Sequence, residues 1–316
     1  MPKPIVIVSE PIATKPHDWL AERVQLVDAA HLNRTDLLDQ LSDAHALIVR
    51  TYTIVDAELL DRAPNLRVVA RAGVGLDNID LDACRSRDIR VVHTPAANTN
   101  AVVEYVTQMM LASIRPITHL DRPVSDAEWH TLREEAITPR TCVGEQLGIV
   151  GFGKIGSALA RVSAALGMRV VYHDIQDIHG HNHNHEFKSV TLEELAATSD
   201  VVSIHVDSRA SNHHFFASSF FNQLKPNAIV LNTSRGFVID EQAAGDYAQS
   251  NPRATLIFDV HNPEPIATDS PTNSVPNIIR TPHIAAATKI AKAQMSWVVR
   301  DVVRVLEDQA PEFPAG

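Results

Sequence analysis

Short, continuous apolar runs punctuate the chain up to residue 100: Ile5–Val8, Ala46–Val49, Leu66–Ala70 and Ile89–Val92. Segments of helical pattern separate them, among them Asp56-Ala57-Glu58-Leu59-Leu60 and Asp80-Leu81-Asp82-Ala83-Cys84. Strands that are apolar on both faces, alternating with helices, belong to a parallel sheet covered on both sides. The stretch from Ala101 to Ile114 is apolar nearly all round and stops just before Pro116. It predicts a buried helix, covered in part by a second subunit, because it leaves no broad polar face for solvent. A polar segment containing Trp129 and His130 follows.

A second series of strands and helices begins at Leu147. The run Leu147–Val150 leads directly into Gly151-Phe152-Gly153-Lys154-Ile155-Gly156. Leu159, Val162 and Leu166 then recur at helical spacing, and Gly167 ends the helix. Met168–Tyr172 predicts the next strand and carries the chain to Asp174. Val201–Val206, Ala228–Asn232 and Thr255–Asp259 predict further strands. From Ala287 to Glu307 the pattern predicts one long helix, with Trp297, Val298, Val302 and Val305 opposite Arg300, Asp301 and Arg304.

A G-x-G-x-x-G pattern alone is weak, since a tight turn with a surface aspartate would look the same. Placed between a strand and a helix it acquires meaning. Gly151 permits the turn, Gly153 lets a pyrophosphate approach the backbone, and Gly156 lets the helix lie close to the strand. The N–H groups at the helix start then face the phosphates. Asp174 stands at the end of the next strand, where a carboxylate accepts from ribose hydroxyls. Ile175, Gln176 and Asp177 include no arginine to receive a 2′-phosphate, which favours NAD over NADP. A glycine loop of this kind normally opens its domain, yet nearly half of the chain precedes this one. The N-terminal part is therefore predicted as a separate α/β domain. Too few residues follow His283 for a third, so the last helix is predicted to return to the first domain.

Composition narrows the function. The 316 residues are 45% hydrophobic, enough for two ordinary cores. A formal net charge of -10 with no basic run excludes a nucleic-acid binder. It also leaves the attraction of an acidic substrate to a few local arginines. The apolar run near the N-terminus, Ile5–Val8, is too short for a signal-peptide core or a membrane span, so the expected location is the cytoplasm. Cys84 and Cys142 stand in neither metal nor redox spacing and build no disulfide framework.

Three later segments carry candidate chemistry: Leu231-Asn232-Thr233-Ser234-Arg235-Gly236, Asp259-Val260-His261-Asn262-Pro263-Glu264-Pro265 and Thr281-Pro282-His283-Ile284-Ala285-Ala286-Ala287-Thr288. Each places a charged or titratable residue at or beyond a strand end, where ligands bind in open α/β sheets. Arg71-Ala72-Gly73-Val74-Gly75-Leu76-Asp77-Asn78 and Asn98-Thr99-Asn100 add motifs in the first half. With these motifs in register, the chain resembles the D-isomer-specific 2-hydroxyacid dehydrogenase family over almost its whole length. It is most similar to the phosphoglycerate dehydrogenase branch, in a short form without a regulatory domain.

The resemblance implies an α/β protein of two parallel-sheet domains. A Rossmann NAD-binding domain, residues 100–285, is inserted into a flavodoxin-like substrate-binding domain formed by 1–99 and 286–316. It implies hydride transfer between NAD(H) and C2 of a small D-2-hydroxy or 2-keto acid, 3-phosphoglycerate being one candidate. The apolar surface of the Ala101–Ile114 helix separately predicts a homodimer through the nucleotide domain. The resemblance assigns catalysis to Arg235, Glu264 and His283. Arg235 binds the substrate carboxylate and polarises the 2-carbonyl, His283 exchanges the hydroxyl proton, and Glu264 pairs with His283. The chemistry is apt: arginine offers a planar fork to a carboxylate. An imidazole carries protons near neutrality, and a nearby carboxylate favours its charged form. The resemblance further implies that backbone N–H groups of Gly73, Val74 and Gly75 hold the substrate carboxylate and that Arg50 meets the distal end. Contacts to the dinucleotide fall to Gly151, Gly153, Lys154, Ile155, Gly156, Asp174, Val206, Thr233, Ser234 and Asp259.

Some features depart from the family pattern. Asp207 stands where a proline is common, and Ser211-Asn212-His213-His214 replaces a threonine-containing turn. His261 stands where an aromatic is usual and adds an imidazole near the site. The segment around Trp129 resembles one that reaches a neighbouring subunit's active site, but Thr131-Leu132-Arg133-Glu134-Glu135 matches it poorly. In His179-Gly180-His181-Asn182-His183-Asn184-His185 the alternate histidines of an extended chain would share one side and could bind Zn, Ni or Cu. The composition reads instead as a polar surface loop, and no metal site is assigned. Dinucleotide-sensing corepressors are similar and can retain the same three residues. A compact chain with neither a long disordered tail nor a basic patch favours the enzyme.

Overall fold

The computed structural model describes residues 2–176 and 187–315, so the histidine run at 179–185 lies outside the described residues. The chain divides into two compact units, Met1–Asn98 with Ala286–Gly316, and Thr99–Ala285.

The first unit is built on five parallel strands: β1 (Ile5–Val8), β2 (Gln25–Asp28), β3 (Ala46–Val49), β4 (Val68–Arg71) and β5 (Arg90–Val92). Their order, β2-β1-β3-β4-β5, is flavodoxin-like and reverses between β1 and β3. Alternate residues feed opposite faces. Ile7, Leu47 and Val69 join Leu37, Leu41, Leu59, Leu60 and Cys84 in one core. Val6, Val8, Ile48 and Ala70 join Leu20, Val298, Val299, Val302 and Val305 in the other. Two buried faces explain why these strands are apolar without alternation. The connecting helices α2 (Arg34–Asp39), α3 (Ala57–Asp61) and α4 (Leu81–Ser86) are short. Asn33, Asp56 and Asp80 begin them by accepting the N–H of Asp36, Leu59 and Ala83.

The C-terminal segment forms two helices, α11 (Lys289–Ser296) and α12 (Val299–Leu306), where one was expected. Bonds of the i→i+3 kind, Val298 N–H to Met295 O at 3.3 Å and Asp301 N–H to Val298 O at 3.0 Å, tighten the backbone at the junction. This one-turn adjustment keeps the apolar stripe on the sheet, so the periodicity shows no break. Asp301, expected on the polar side, is only 4% exposed. Its carboxylate accepts the N–H groups of Glu312 at 2.8 Å and Phe313 at 2.9 Å, and the fixed tail lets Ala315 donate to Val91 O.

Among the described residues, the second unit has seven parallel strands: β6 (Gln146–Val150), β7 (Arg169–His173), β8 (Lys188–Ser189), β9 (Val201–Ile204), β10 (Ile229–Asn232), β11 (Thr255–Phe258) and β12 (Ile278–Arg280). Read from β8, the order β8-β7-β6-β9-β10-β11-β12 is that of a Rossmann sheet with one added edge strand, and it reverses between β6 and β9. Helix α5 (Thr99–Ile114) buries Ala101, Val102, Val103, Val106, Met110 and Ile114. Glu104, Gln108 and Ala112 remain exposed, so within this chain the helix is covered on one side and not all round. Helix α6 (Asp126–Glu135) buries no residue. Among the described residues, no helix is long and apolar enough to cross a membrane.

Candidate active site

The sheet reversal in the second unit places Gly151 beside the end of β9. Gly151 has φ 91°, and a Cβ there would come within 2.5 Å of His205 O. A Cβ at Gly156 would come within 2.3 Å of Gly151 O, so neither position accepts a side chain. Gly153, the N-cap of α7 (Lys154–Ala165), is different: nothing lies within 4 Å of where its Cβ would stand. That open backbone precedes a helix start whose first N–H groups lack intrahelical partners, a cradle that fits a pyrophosphate. Lys154 is exposed and Ile155 half-buried at the mouth of this turn.

Asp174 follows β7. Its Oδ2 accepts the N–H of Phe152 at 2.7 Å and its Oδ1 that of Gln176 at 2.9 Å. Each oxygen keeps a second lone pair for a ribose hydroxyl. An arginine does come near this carboxylate, although none follows it in sequence. Arg209, from the turn after β9, feels the charge of Asp174, but its stronger partner is Asp207, at 2.7 Å from Nε, which raises its pKa. Asn212 Nδ2 completes the clamp by donating to Asp207 O and Oδ1. Asp207, standing in place of a proline, thus engages the arginine.

Val206 is half-buried at the same strand end, and Thr233 Oγ1 lies 3.5 Å from His205 Nδ1. His205 Nε2 also pairs with Ser203 Oγ at 2.8 Å, and burial lowers its pKa to about 4, so the ring is neutral at physiological pH. Ser234 departs from expectation. It is buried, and its hydroxyl donates to Asn232 Oδ1 at 2.8 Å, not towards a ligand.

Arg235, Glu264 and His283 follow β10, β11 and β12 respectively. Buried Asn232 shapes the first turn by donating to Arg235 O at 2.8 Å, and Arg235 Nη1 donates to Ser234 O at 2.7 Å. A Cβ on Gly236 would lie 2.0 Å from His261 C, so only glycine lets the Arg235 turn rest on the His261 backbone. His261 N–H donates to Glu264 Oε1 at 3.0 Å, while His283 Nδ1 donates to Oε2 at 2.9 Å. The carboxylate is therefore held on one side and holds the imidazole on the other, both partly exposed. His261 Nε2 donates to Thr281 O at 2.9 Å, tying the two loops together.

His283 itself has φ 54°, the left-handed region, with its N–H directed to Asp259 O at 2.8 Å and Thr281 O at 3.0 Å. Asp259, expected at the dinucleotide, is 1% exposed and turned inward. Its carboxylate accepts from Thr281 Oγ1 at 2.6 Å, Ile284 N–H at 2.8 Å and Ala285 N–H at 2.7 Å. It organises the His283 turn, and three of its four lone-pair positions are used in doing so. Tyr105 extends the network through its hydroxyl, 2.6 Å from Thr281 Oγ1. Thr281 lies in the segment that carries His283, whereas Tyr105 belongs to no motif, and its one signal in the sequence is a tyrosine inside an apolar helical run.

In the first unit, Gly73 N–H is committed to Arg71 O at 2.8 Å, leaving Val74 and Gly75 as the amides of this turn suited to a carboxylate. The Gly73 and Val74 carbonyls are fixed by Thr94 Oγ1 at 3.1 Å and His93 Nδ1 at 3.0 Å. Arg50 begins the loop after β3 and donates Nη1 to Pro11 O at 3.2 Å.

A flavodoxin-like unit joined to a Rossmann unit with a phosphate cradle and a histidine–carboxylate pair defines a dinucleotide-dependent α/β protein. The chain belongs to the D-isomer specific 2-hydroxyacid dehydrogenase family, whose NAD binding domain matches residues 107–285. A D-3-phosphoglycerate dehydrogenase of Archaeoglobus fulgidus is 32% identical over 302 residues, which is 95% of this chain but 57% of the relative. The chain thus spans little more than half of that relative's length. An (S)-sulfolactate dehydrogenase of Chromohalobacter salexigens is 38% identical over 277 residues, covering 86% of this chain and 87% of the relative. Among solved structures, the TT0316 protein of Thermus thermophilus superposes with TM-score 0.85 at 30% identity, covering 99% of this chain and all of that one. These relatives lend no support to a corepressor.

Proposed function

We propose that the protein oxidises a small D-2-hydroxy acid, or reduces the matching 2-keto acid, and that the substrate carries a second anionic group such as a phosphate or sulfonate. NAD(H), when bound, accepts or supplies the hydride at C2. The observation that carries the reading is the His283–Glu264 pair at 2.9 Å, set at strand ends beside the Arg235 turn. With Nδ1 bonded to the carboxylate, His283 keeps Nε2 for the proton of the C2 oxygen. Arg235 supplies a permanent charge and a planar fork for the substrate carboxylate. Arg50 is the group assigned to the second anion, and the relatives named for phosphoglycerate and sulfolactate favour such a substrate.

The test is a spectrophotometric screen with NADH and phosphohydroxypyruvate, sulfopyruvate, hydroxypyruvate, glyoxylate and pyruvate. A kcat/KM highest for a keto acid with two anionic groups supports the proposal; preference for glyoxylate or pyruvate overturns the substrate class. We also propose a homodimer through the second unit, where α6 buries nothing within its own chain. A monomer in sedimentation at micromolar concentration would remove that reading.

A further inference from the structure

The reversal of the first sheet, between β1 and β3, is where an open α/β sheet ordinarily receives a ligand. Here a side chain of the protein fills it. Glu10, just past β1, is 8% exposed, and its carboxylate accepts the N–H groups of four successive residues in the loop after β3. Oε1 takes Arg50 at 2.9 Å, Tyr52 at 3.1 Å and Thr53 at 3.0 Å, and Oε2 takes Thr51 at 2.9 Å. Successive amides converging on one anion form a nest. Burial pushes the Glu10 carboxyl up, but these four bonds outweigh it and hold the pKa below the ordinary value. From the other side, Asn78 Nδ2 donates to Arg50 O at 3.1 Å and Thr53 O at 2.7 Å. Ser9 Oγ meets Thr53 Oγ1 at 2.8 Å.

We infer that Glu10 is a positioning residue for substrate selectivity: its carboxylate folds the Arg50–Thr53 loop into the one conformation that presents the Arg50 guanidinium to the second anionic group of the substrate. The inference rests on the role proposed above for Arg50. The geometry favours it because the nest fixes the backbone of Arg50 at both ends, N–H to Glu10 and O to Asn78, while the next residue after Glu10 supplies the carbonyl that receives Arg50 Nη1. The loop has no regular secondary structure, so the carboxylate takes the place of a sheet or helix ladder.

The experiment compares KM for the two-anion keto acid selected by the screen with KM for glyoxylate, in wild type, Glu10→Gln, Arg50→Ala and the double variant. Gln retains one acceptor oxygen but turns an NH2 group against a backbone N–H. Glu10→Gln should raise KM for the two-anion substrate by about tenfold to a hundredfold, the range of one lost charge-assisted contact. KM for glyoxylate, kcat and NADH affinity should move little. In the Arg50→Ala background, Glu10→Gln should add nothing, since both act through one guanidinium. Effects that multiply, or a rise in KM equal for both substrates, would show a general structural role and overturn the inference. Arg50→Ala with unchanged KM for both substrates would instead overturn the reading of Arg50, and the positioning role with it. Should Glu10→Gln not fold, Asn78→Ala loosens the same loop from its other side and must show the same selectivity loss.

Discussion

Asp259→Asn separates two roles for one residue. In the structure its carboxylate holds the N–H groups of Ile284 and Ala285 and the hydroxyl of Thr281, and so keeps His283 in a left-handed conformation. A hydrogen bond to a charged group contributes about 1.5–3 kcal/mol, and a non-glycine residue in that backbone region costs about 1–3 kcal/mol. Asparagine keeps one acceptor oxygen and points an NH2 at a buried amide that had been satisfied. The net loss should be about 2–4 kcal/mol, concentrated in the turn that carries His283. If the turn leaves its catalytic geometry by that margin, kcat falls by roughly 30-fold to 1,000-fold. The assays are kcat with the best keto acid, NADH affinity by fluorescence quenching, and urea unfolding. We expect reduced kcat and reduced stability with NADH affinity intact. A folded variant with full kcat refutes the organising role. Weakened NADH binding with kcat preserved would return Asp259 to the dinucleotide.

Three further outcomes follow from the geometry. His283→Ala should lower kcat by roughly 10²–10⁴ with NADH affinity intact, and Glu264→Gln by less, since it orients the imidazole without replacing it; both are read from steady-state rates and cofactor titration. His205 keeps its ring neutral down to about 4 when folded, while an unfolded histidine charges near 6.5. Its contribution to stability is therefore present above pH 6.5 and lost as pH falls towards 4, by on the order of 3 kcal/mol. His205→Gln should flatten the pH dependence of urea unfolding in that window, and an unchanged slope would contradict this. Asp207→Ala should release Arg209 beside Asp174 and raise kcat/KM for NADPH relative to NADH; an unaltered ratio would place Arg209 away from the ribose.

Much of this architecture was legible where burial was complete. Ile5–Val8 and Ala46–Val49 lie in the middle of their sheet with both faces covered, so the apolar run and the strand coincide. The edge strands β2, β8 and β12 carry no apolar run because Gln25–Asp28 is half open to solvent, Lys188–Ser189 is exposed and Ile278–Arg280 is only three residues long. Motifs also located the loops bearing Arg235, Glu264 and His283, since strand end and turn chemistry are local. What stayed hidden was non-local. Nothing near Asp301 announces that Glu312 and Phe313 will be bonded to it, and nothing near Glu10 announces a loop forty residues away. Likewise, Arg209 approaches Asp174 only because β9 and β7 end at the same edge of one sheet. An acidic side chain that caps backbone looks, in sequence, like one that faces water.

The discontinuous first unit has a consequence for the order in which the protein matures. All seven strands of the second unit lie within one contiguous stretch, Thr99–Ala285. The strands that leave the ribosome first are those of the other sheet. One of its faces is covered only in part, by Leu20 and Val24, until Val298, Val299, Val302 and Val305 join Val6, Val8 and Ile48. Emergence and completion are thus reversed: the segment made second can close its core while the segment made first still waits for its cover. A parallel sheet with one apolar face only partly covered is the kind of nascent surface that attracts aggregation or a chaperone. The helices at Lys289–Ser296 and Val299–Leu306 thus close a core whose strands were made some two hundred and fifty residues earlier.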